Sequence, residues 1–292
     1  MHPLIQKLLP GPIITDGAWG TQLQAQGLGA GECPDVWNLT HPDRVESVAR
    51  AYVEAGSQVI LTNTFGATRS RLADHGLSDK TSAINTAGVE ISKRAAGSRA
   101  LVFASMGPAG KMLAMGDTTL EELSSIYEEQ AIALARAGAD ALLLETFADL
   151  EEVALAIAVC KKTGQPVIAS LVFDSGAQRD RTMMGATTEE AVAALTAAGA
   201  DVIGANCGRG IDGYIVITKR LRAGTTLPLW IKANAGLPEI VAGQTVYPAV
   251  PEFFADKAQE VIAAGATFIG GCCGTSPSFI AAIAKKLGRV PA

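Results

Sequence analysis

The chain has 292 residues, 48% of them hydrophobic and 18% charged, with a formal net charge of −5. That balance supports a large buried core and excludes disorder as the main theme. A pI of about 5.3, with no Lys/Arg run, excludes nucleic acid and anionic membrane as principal partners and leaves small molecules.

Taken in chain order, the N-terminus Met1-His2-Pro3-Leu4-Ile5-Gln6-Lys7 lacks the charged leader, apolar stretch and cleavage site of a secretory signal, so a cytoplasmic location is expected. Ile13-Ile14-Thr15-Asp16 reads as a first strand. The segment Glu54-Ala55-Gly56-Ser57-Gln58-Val59-Ile60-Leu61 then introduces a unit that recurs at Arg136-Ala137-Gly138, Ala197-Ala198-Gly199 and Ala263-Ala264-Gly265. Each is a helix end stopped by glycine, followed at once by an apolar run without polar alternation. Glycine supplies the left-handed cap, and the unbroken run suits a strand covered on both faces. Further strands fit at Leu101-Val102-Phe103-Ala104, at Pro166 to Val172 and at Leu229-Trp230-Ile231-Lys232, giving eight in all. Helix starts are signalled by Asp117 to Glu122, Thr187-Thr188-Glu189-Glu190 and Ser276-Pro277-Ser278.

Eight alternating units predict an α/β chain folded as a single-domain (β/α)8 TIM barrel over residues 1–292. An open, doubly wound sheet is the alternative. It is weakened because Asp16-Gly17-Ala18-Trp19-Gly20 is not the glycine-rich phosphate turn such folds carry after the first strand.

Barrel enzymes build their sites where the strands end. The expected ends carry Asp16-Gly17, Thr62-Asn63-Thr64-Phe65, Ser105-Met106, Glu145-Thr146, Asp174, Asn206-Cys207, Lys232-Ala233-Asn234 and Cys272-Cys273. Polar loops alone account for Asp174 or Asn63. They do not account for three cysteines, two carboxylates and two asparagines arriving together. Five cysteines in a reducing compartment read as ligands, catalytic groups or core residues rather than a disulfide framework. Cys160 lies in a helical apolar pattern and is expected in the core; Cys33 sits in a loop with no evident partner.

Adjacent Cys272 and Cys273 bridge each other poorly, whereas both reach a soft cation from one turn. With Cys207 they offer three thiolates, leaving a tetrahedral zinc one open position, the pattern of a catalytic site. A structural zinc or an iron–sulfur cluster wants a fourth ligand, and none of His2, His41 and His75 lies at an expected strand end. Inert buried thiols remain the competing reading. Three anionic sulfurs make zinc a weak Lewis acid for carbonyls, better matched to a substrate thiol, which a metal deprotonates at neutral pH. The chemistry indicated is alkyl transfer to sulfur. Asp16 and Glu145 suit a substrate ammonium, and the N–H groups around Gly17 and Ala18 suit a carboxylate. Trp19, Phe65 and Phe147 are placed beside the mouth, where aromatic faces attract methylated ammonium or sulfonium cations by ~0.5–2 kcal/mol each. Trp37 and Tyr247 fall in long loops able to lid the mouth.

The motifs Asp16-Gly17-Ala18-Trp19-Gly20-Thr21, Thr62-Asn63-Thr64-Phe65, Glu145-Thr146, Gly204-Ala205-Asn206-Cys207, Asn234-Ala235-Gly236-Leu237-Pro238 and Gly270-Gly271-Cys272-Cys273-Gly274-Thr275 together resemble the homocysteine S-methyltransferase family, essentially end to end. The resemblance implies a (β/α)8 barrel with Zn2+ on Cys207, Cys272 and Cys273, homocysteine sulfur as fourth ligand and methionine as product. It implies substrate-binding roles for Asp16, Gly17, Glu145, Asn206 and Asn234. Asp16 and Glu145 would hold the amino group, and Asn234 the fourth metal position before substrate arrives. Departures from family patterns, such as Lys232-Ala233 before the Asn-Ala-Gly and Thr146 after Glu145, leave the donor open between a methylated ammonium or sulfonium compound and the methylcorrinoid of a separate protein. Two further alternatives are a non-catalytic zinc- or thiol-binding subunit of a corrinoid system, and methyl transfer to a different thiol or selenol.

Overall fold

In a computed structural model, which describes residues 1–241 and 244–289, the expected alternation holds. Strands β1 (Ile13–Ile14), β2 (Val59–Leu61), β3 (Leu101–Met106), β4 (Ala141–Phe147), β5 (Val167–Leu171), β6 (Val202–Gly210), β7 (Leu229–Asn234) and β10 (Phe268–Gly271) form one parallel sheet. Its order is β1-β10-β7-β6-β5-β4-β3-β2, and a parallel bridge from Thr15 to Val59 joins the two ends. The sheet thus curves round into a (β/α)8 barrel, and the doubly wound alternative is set aside. A two-stranded antiparallel hairpin, β8 (Glu239–Val241) and β9 (Gln244–Val246), stands apart after β7.

The recurring glycine unit has a direct conformational reason. Gly56, Gly138, Gly199 and Gly265 take φ of 102, 94, 88 and 117, values that side-chain-bearing residues rarely adopt. Each ends a helix and turns the chain into the next strand within a few residues. Helix starts are fixed by side chains. Thr187 and Glu190 form a reciprocal capping box on the helix Thr188–Ala197, and Thr119 caps the helix Leu120–Arg136.

The barrel interior is packed rather than open, as the fold requires. Phe103 stacks on Trp230 at 5.9 Å between ring centroids, and Trp230 meets Phe268 at 5.4 Å. Ile5, from the short helix Pro3–Leu8, inserts into the same cluster. The N–H of His2 donates to Asp201, just before β6, so this helix plugs the end where the strands begin. The opposite end is left for chemistry. A second, larger apolar layer lies between the strands and the surrounding helices. It holds Cys160, whose sulfur lies 3.8 Å from that of Met106. Among the described residues no helix is long and apolar enough to cross a membrane.

Candidate metal and thiol site

Two backbone kinks aim the site. β6 follows β7 in register to Asn206, slips, and rejoins it at Gly210. Within the slip Cys207 takes φ 64, a left-handed conformation that disfavours a residue with a Cβ and persists only where the surroundings impose it. The Tyr214 hydroxyl donates to the Cys207 carbonyl at 2.6 Å and helps hold the kink. β4 departs similarly, with Thr146 at φ 66 directly after Glu145.

The turn after β10 is pinned to β7. The Cys272 N–H donates to the Ala233 carbonyl at 2.7 Å, and the Ala235 N–H to the Cys273 carbonyl at 2.9 Å. Thr275 closes the turn by donating its hydroxyl to the Cys272 carbonyl at 2.7 Å. The sulfurs of Cys207, Cys272 and Cys273 consequently all lie within 4.8 Å of one another. No disulfide joins them. Cys207 and Cys273 are 3.9 Å apart, against the ~3.8 Å edge of a tetrahedron with 2.3 Å zinc–sulfur bonds.

Electrostatics within the cluster are uneven. Hydrogen bonds from Cys272 and Cys273, together with the Gly208 N–H and Asn234, hold the Cys207 thiol well below the usual thiol range. Cys272 and Cys273 are raised, first because each faces Cys207 and then by burial. Asn234 is buried, and its Oδ1 has no hydrogen-bond partner among the described residues. Three converging sulfurs are a donor set for a thiophilic cation, and the Asn234 side chain stands beside one of them, Cys207.

The carboxylates sit close by, in different states. Glu145 is buried and accepts from the Ser105 hydroxyl at 2.5 Å. Burial pushes its pKa up, while the Lys232 ammonium and the Ser105 hydrogen bond oppose that rise. Asp16 is fully buried and already engaged: Lys232 ion-pairs with Oδ1, while the Leu61 N–H and the Trp19 indole N–H donate to Oδ2 at 2.7 and 2.8 Å. Lys232, a strand-end residue and a departure from the family pattern in the sequence, joins this site through its pairing with Asp16. Of the N–H groups around Gly17 and Ala18 expected to meet a substrate carboxylate, that of Ala18 donates to the hydroxyl and carbonyl oxygens of Thr275 at 3.1 and 3.3 Å. Gly17 earns its place sterically, since a Cβ there would lie 2.8 Å from Tyr52 and Thr275. Tyr52, which nothing in the sequence singled out, ties the loops together by donating to the Ala18 carbonyl at 2.7 Å.

Asn206 contacts the backbone beside Glu145. It accepts from the Thr146 N–H at 2.9 Å and the Ser170 hydroxyl at 2.7 Å, and donates to the Thr146 hydroxyl at 2.7 Å. A cavity of about 1420 Å³ opens above, lined by Trp19, Phe65, Glu145, Lys232, Tyr247 and the three cysteines among others. Tyr247 follows β9 and packs its ring on Gly274, whose φ of 80 and lack of a Cβ admit it. Phe147 is not at the mouth; it is fully buried against Tyr127 behind the sheet, because the slip of β4 against β5 after Leu144 and the left-handed Thr146 break the alternation that would have placed it beside Glu145. Trp37 is likewise buried, its ring 4.6 Å from that of His41 and tilted against it.

The sequence model of the family described as homocysteine S-methyltransferase matches residues 13–287. The methionine synthase of Mycobacterium tuberculosis (strain ATCC 25618 / H37Rv) is 32% identical over 306 residues, covering 98% of this chain and 25% of its own. That of Mycobacterium leprae (strain TN) is 32% identical over 305 residues, with the same coverage. The chain thus spans about a quarter of the length of these curated relatives. Among solved structures, the metallated homocysteine methyltransferase MmuM from Escherichia coli superposes with a TM-score of 0.81 at 26% identity, covering 98% of this chain and 100% of the other.

Proposed function

Because the chain belongs to the homocysteine S-methyltransferase family, we propose that it transfers a methyl group to the sulfur of homocysteine and releases methionine. The observation that carries this reading is the convergence of Cys207, Cys272 and Cys273 at the open end of the barrel, next to a buried carboxylate and beneath a large cavity. The sulfur spacing fits zinc. Zinc held by the three cysteines would deprotonate an incoming thiol and keep it nucleophilic at neutral pH.

The remaining work falls to the chain's own side chains. Glu145 offers its second carboxylate oxygen to the cavity while Ser105 fixes the first, which suits a substrate ammonium. Asn206 holds Thr146 in its left-handed conformation and so sets where Glu145 points. The substrate sulfur attacks the methyl carbon in line; the bond from that carbon to the donor breaks, and the donor leaves with the electron pair. Such a step needs little acid–base help. Alignment is the main contribution, reaching ~7–11 kcal/mol in favourable intramolecular cases.

The cavity of about 1420 Å³ exceeds the roughly 300–1,000 Å³ usual for a single small ligand, so acceptor and donor fit together. Phe65 and Tyr247 line it and offer ring faces to a cationic donor. Methionine formation from L-homocysteine by zinc-loaded protein, with betaine, S-methylmethionine, S-adenosylmethionine and methylcobalamin supplied separately, tests the reading. Turnover with one of them supports it and names the donor. Failure with all, despite homocysteine binding, points instead to a protein-bound corrinoid or another acceptor.

A further inference from the structure

The hairpin β8–β9 brings Thr245, Val246 and Tyr247 to the cavity wall, yet burial does little to hold it there. From Leu237 to Pro248 every described side chain is exposed except that of Tyr247, which is half-buried against the larger apolar layer. The neck of the hairpin is tied through the backbone to the cysteine turn. The Ala249 N–H donates to the Ala235 carbonyl, and the Ala235 N–H to the Cys273 carbonyl, each at 2.9 Å.

Tyr247 comes back to the same residue with its side chain. Its ring lies over Gly274, where a Cβ would collide with it, and its hydroxyl is hydrogen-bonded to the Cys273 sulfur. A phenol with the usual pKa of about 10 is protonated at neutral pH, and a cysteine bound to a metal has lost its proton. The hydroxyl is therefore the donor and the sulfur the acceptor, in a bond that is charge-assisted once Cys273 is a ligand. One segment thus holds both the backbone and the side chain of Cys273. Outer partners of this kind orient a metal ligand and adjust the charge it gives the metal.

We propose that Tyr247 is a positioning residue for the metal centre: its hydroxyl donates to the Cys273 sulfur, fixes the direction of that ligand, and tethers to it the hairpin that lines the cavity. The inference rests on the three-cysteine zinc site of the preceding section. By drawing charge from one of three anionic sulfurs, the bond leaves the zinc less electron-rich and readier to take up a fourth sulfur.

The test reads two properties of the full chain: zinc affinity, by competition with a chelator, and the sulfur-to-metal charge-transfer band of the protein loaded with Co2+ in place of zinc. Tyr247→Phe keeps the ring on Gly274 and removes only the hydroxyl. It is expected to weaken zinc binding by roughly 10- to 100-fold, the usual cost of losing an outer partner of a metal ligand. It is also expected to move the Co2+ band to longer wavelength, because a thiolate released from a hydrogen bond gives up its electron more easily. Tyr247→Leu, which lacks ring and hydroxyl alike, should show the same band shift. Zinc affinity of Tyr247→Phe within about 2-fold of the unchanged protein overturns the inference. So does weakened zinc with an unmoved band, or a band that moves only in Tyr247→Leu, since either marks lost packing rather than a lost bond. Failure of the unchanged protein to bind zinc fails the metal assignment first and this inference with it.

Discussion

Removing Asn206 tests whether the kinked strand end is held by the bonds described. Asn206 is fully buried and makes three side-chain hydrogen bonds with nitrogen and oxygen groups, two with Thr146 and one from Ser170, besides a long 4.0 Å contact from its amide to the Cys272 sulfur. Thr146 sits at φ 66, a conformation that carries ~1–3 kcal/mol of strain and relaxes when its tethers are cut. At about 1 kcal/mol for each hydrogen bond, Asn206→Ala removes about 3 kcal/mol of stability. Unfolding entropy of about 2.1 cal/mol/K per residue gives about 0.6 kcal/mol/K for 292 residues, so the melting temperature should fall by about 5 °C. Glu145 precedes Thr146, and a relaxed Thr146 misdirects it. Homocysteine affinity should therefore drop several-fold. Scanning calorimetry and a homocysteine titration on one preparation read both effects. A melting temperature within about 1 °C of the parent, with unchanged affinity, would refute the tether.

Other perturbations separate the parts of the site. Burial raises Asp35 to about 6 from the ordinary value of 3.8, so its charged form is disfavoured in the folded state. The penalty is absent below pH 3.8, grows as pH rises toward 6, and is complete above it at about 3 kcal/mol. Asp35→Asn keeps an acceptor for the Gly66 N–H, 3.0 Å away, and should raise the melting temperature at pH 8 far more than at pH 4; an equal change at both would contradict the burial argument. Cys272→Ser should leave the protein with well under one equivalent of zinc after dialysis, measured by elemental analysis, and full retention would remove that thiol from the ligand set. Glu145→Gln should raise the KM for homocysteine more than it lowers kcat, and an unchanged KM would deny the ammonium contact.

The barrel was legible because its strands are short apolar runs set off by glycines, and because a strand covered on both faces leaves no polar alternation to confuse it with a helix. The meeting of Cys207 with Cys272 and Cys273 was legible for a topological reason: parallel strands of one barrel end at one mouth. What the sequence hid lies in the direction of side chains. Phe147 follows Glu145 by two positions and would share its face on a regular strand, but β4 slips against β5 between Leu144 and Phe147, and the aromatic turns into the core. The left-handed Thr146 and Cys207 carry no composition signal, since neither is glycine. Lys232 did carry one. It shares the parity of Trp230 on an otherwise apolar strand, and a lysine facing a barrel interior requires an anion nearby; Asp16, two strands away across β10, supplies it. Among the described side chains of the hairpin β8–β9, Glu239, Ile240, Thr245 and Val246 are all exposed, so no buried face patterns its residues.

The central claim is that three cysteines hold a metal to which the acceptor sulfur adds. X-ray absorption at the zinc edge, on protein loaded with one equivalent, tests it most directly. The account predicts three sulfur neighbours and one oxygen or nitrogen without substrate, becoming four sulfurs when L-homocysteine is present. A sulfur count that stays at three on saturation with L-homocysteine, or that is below three at the start, would contradict it.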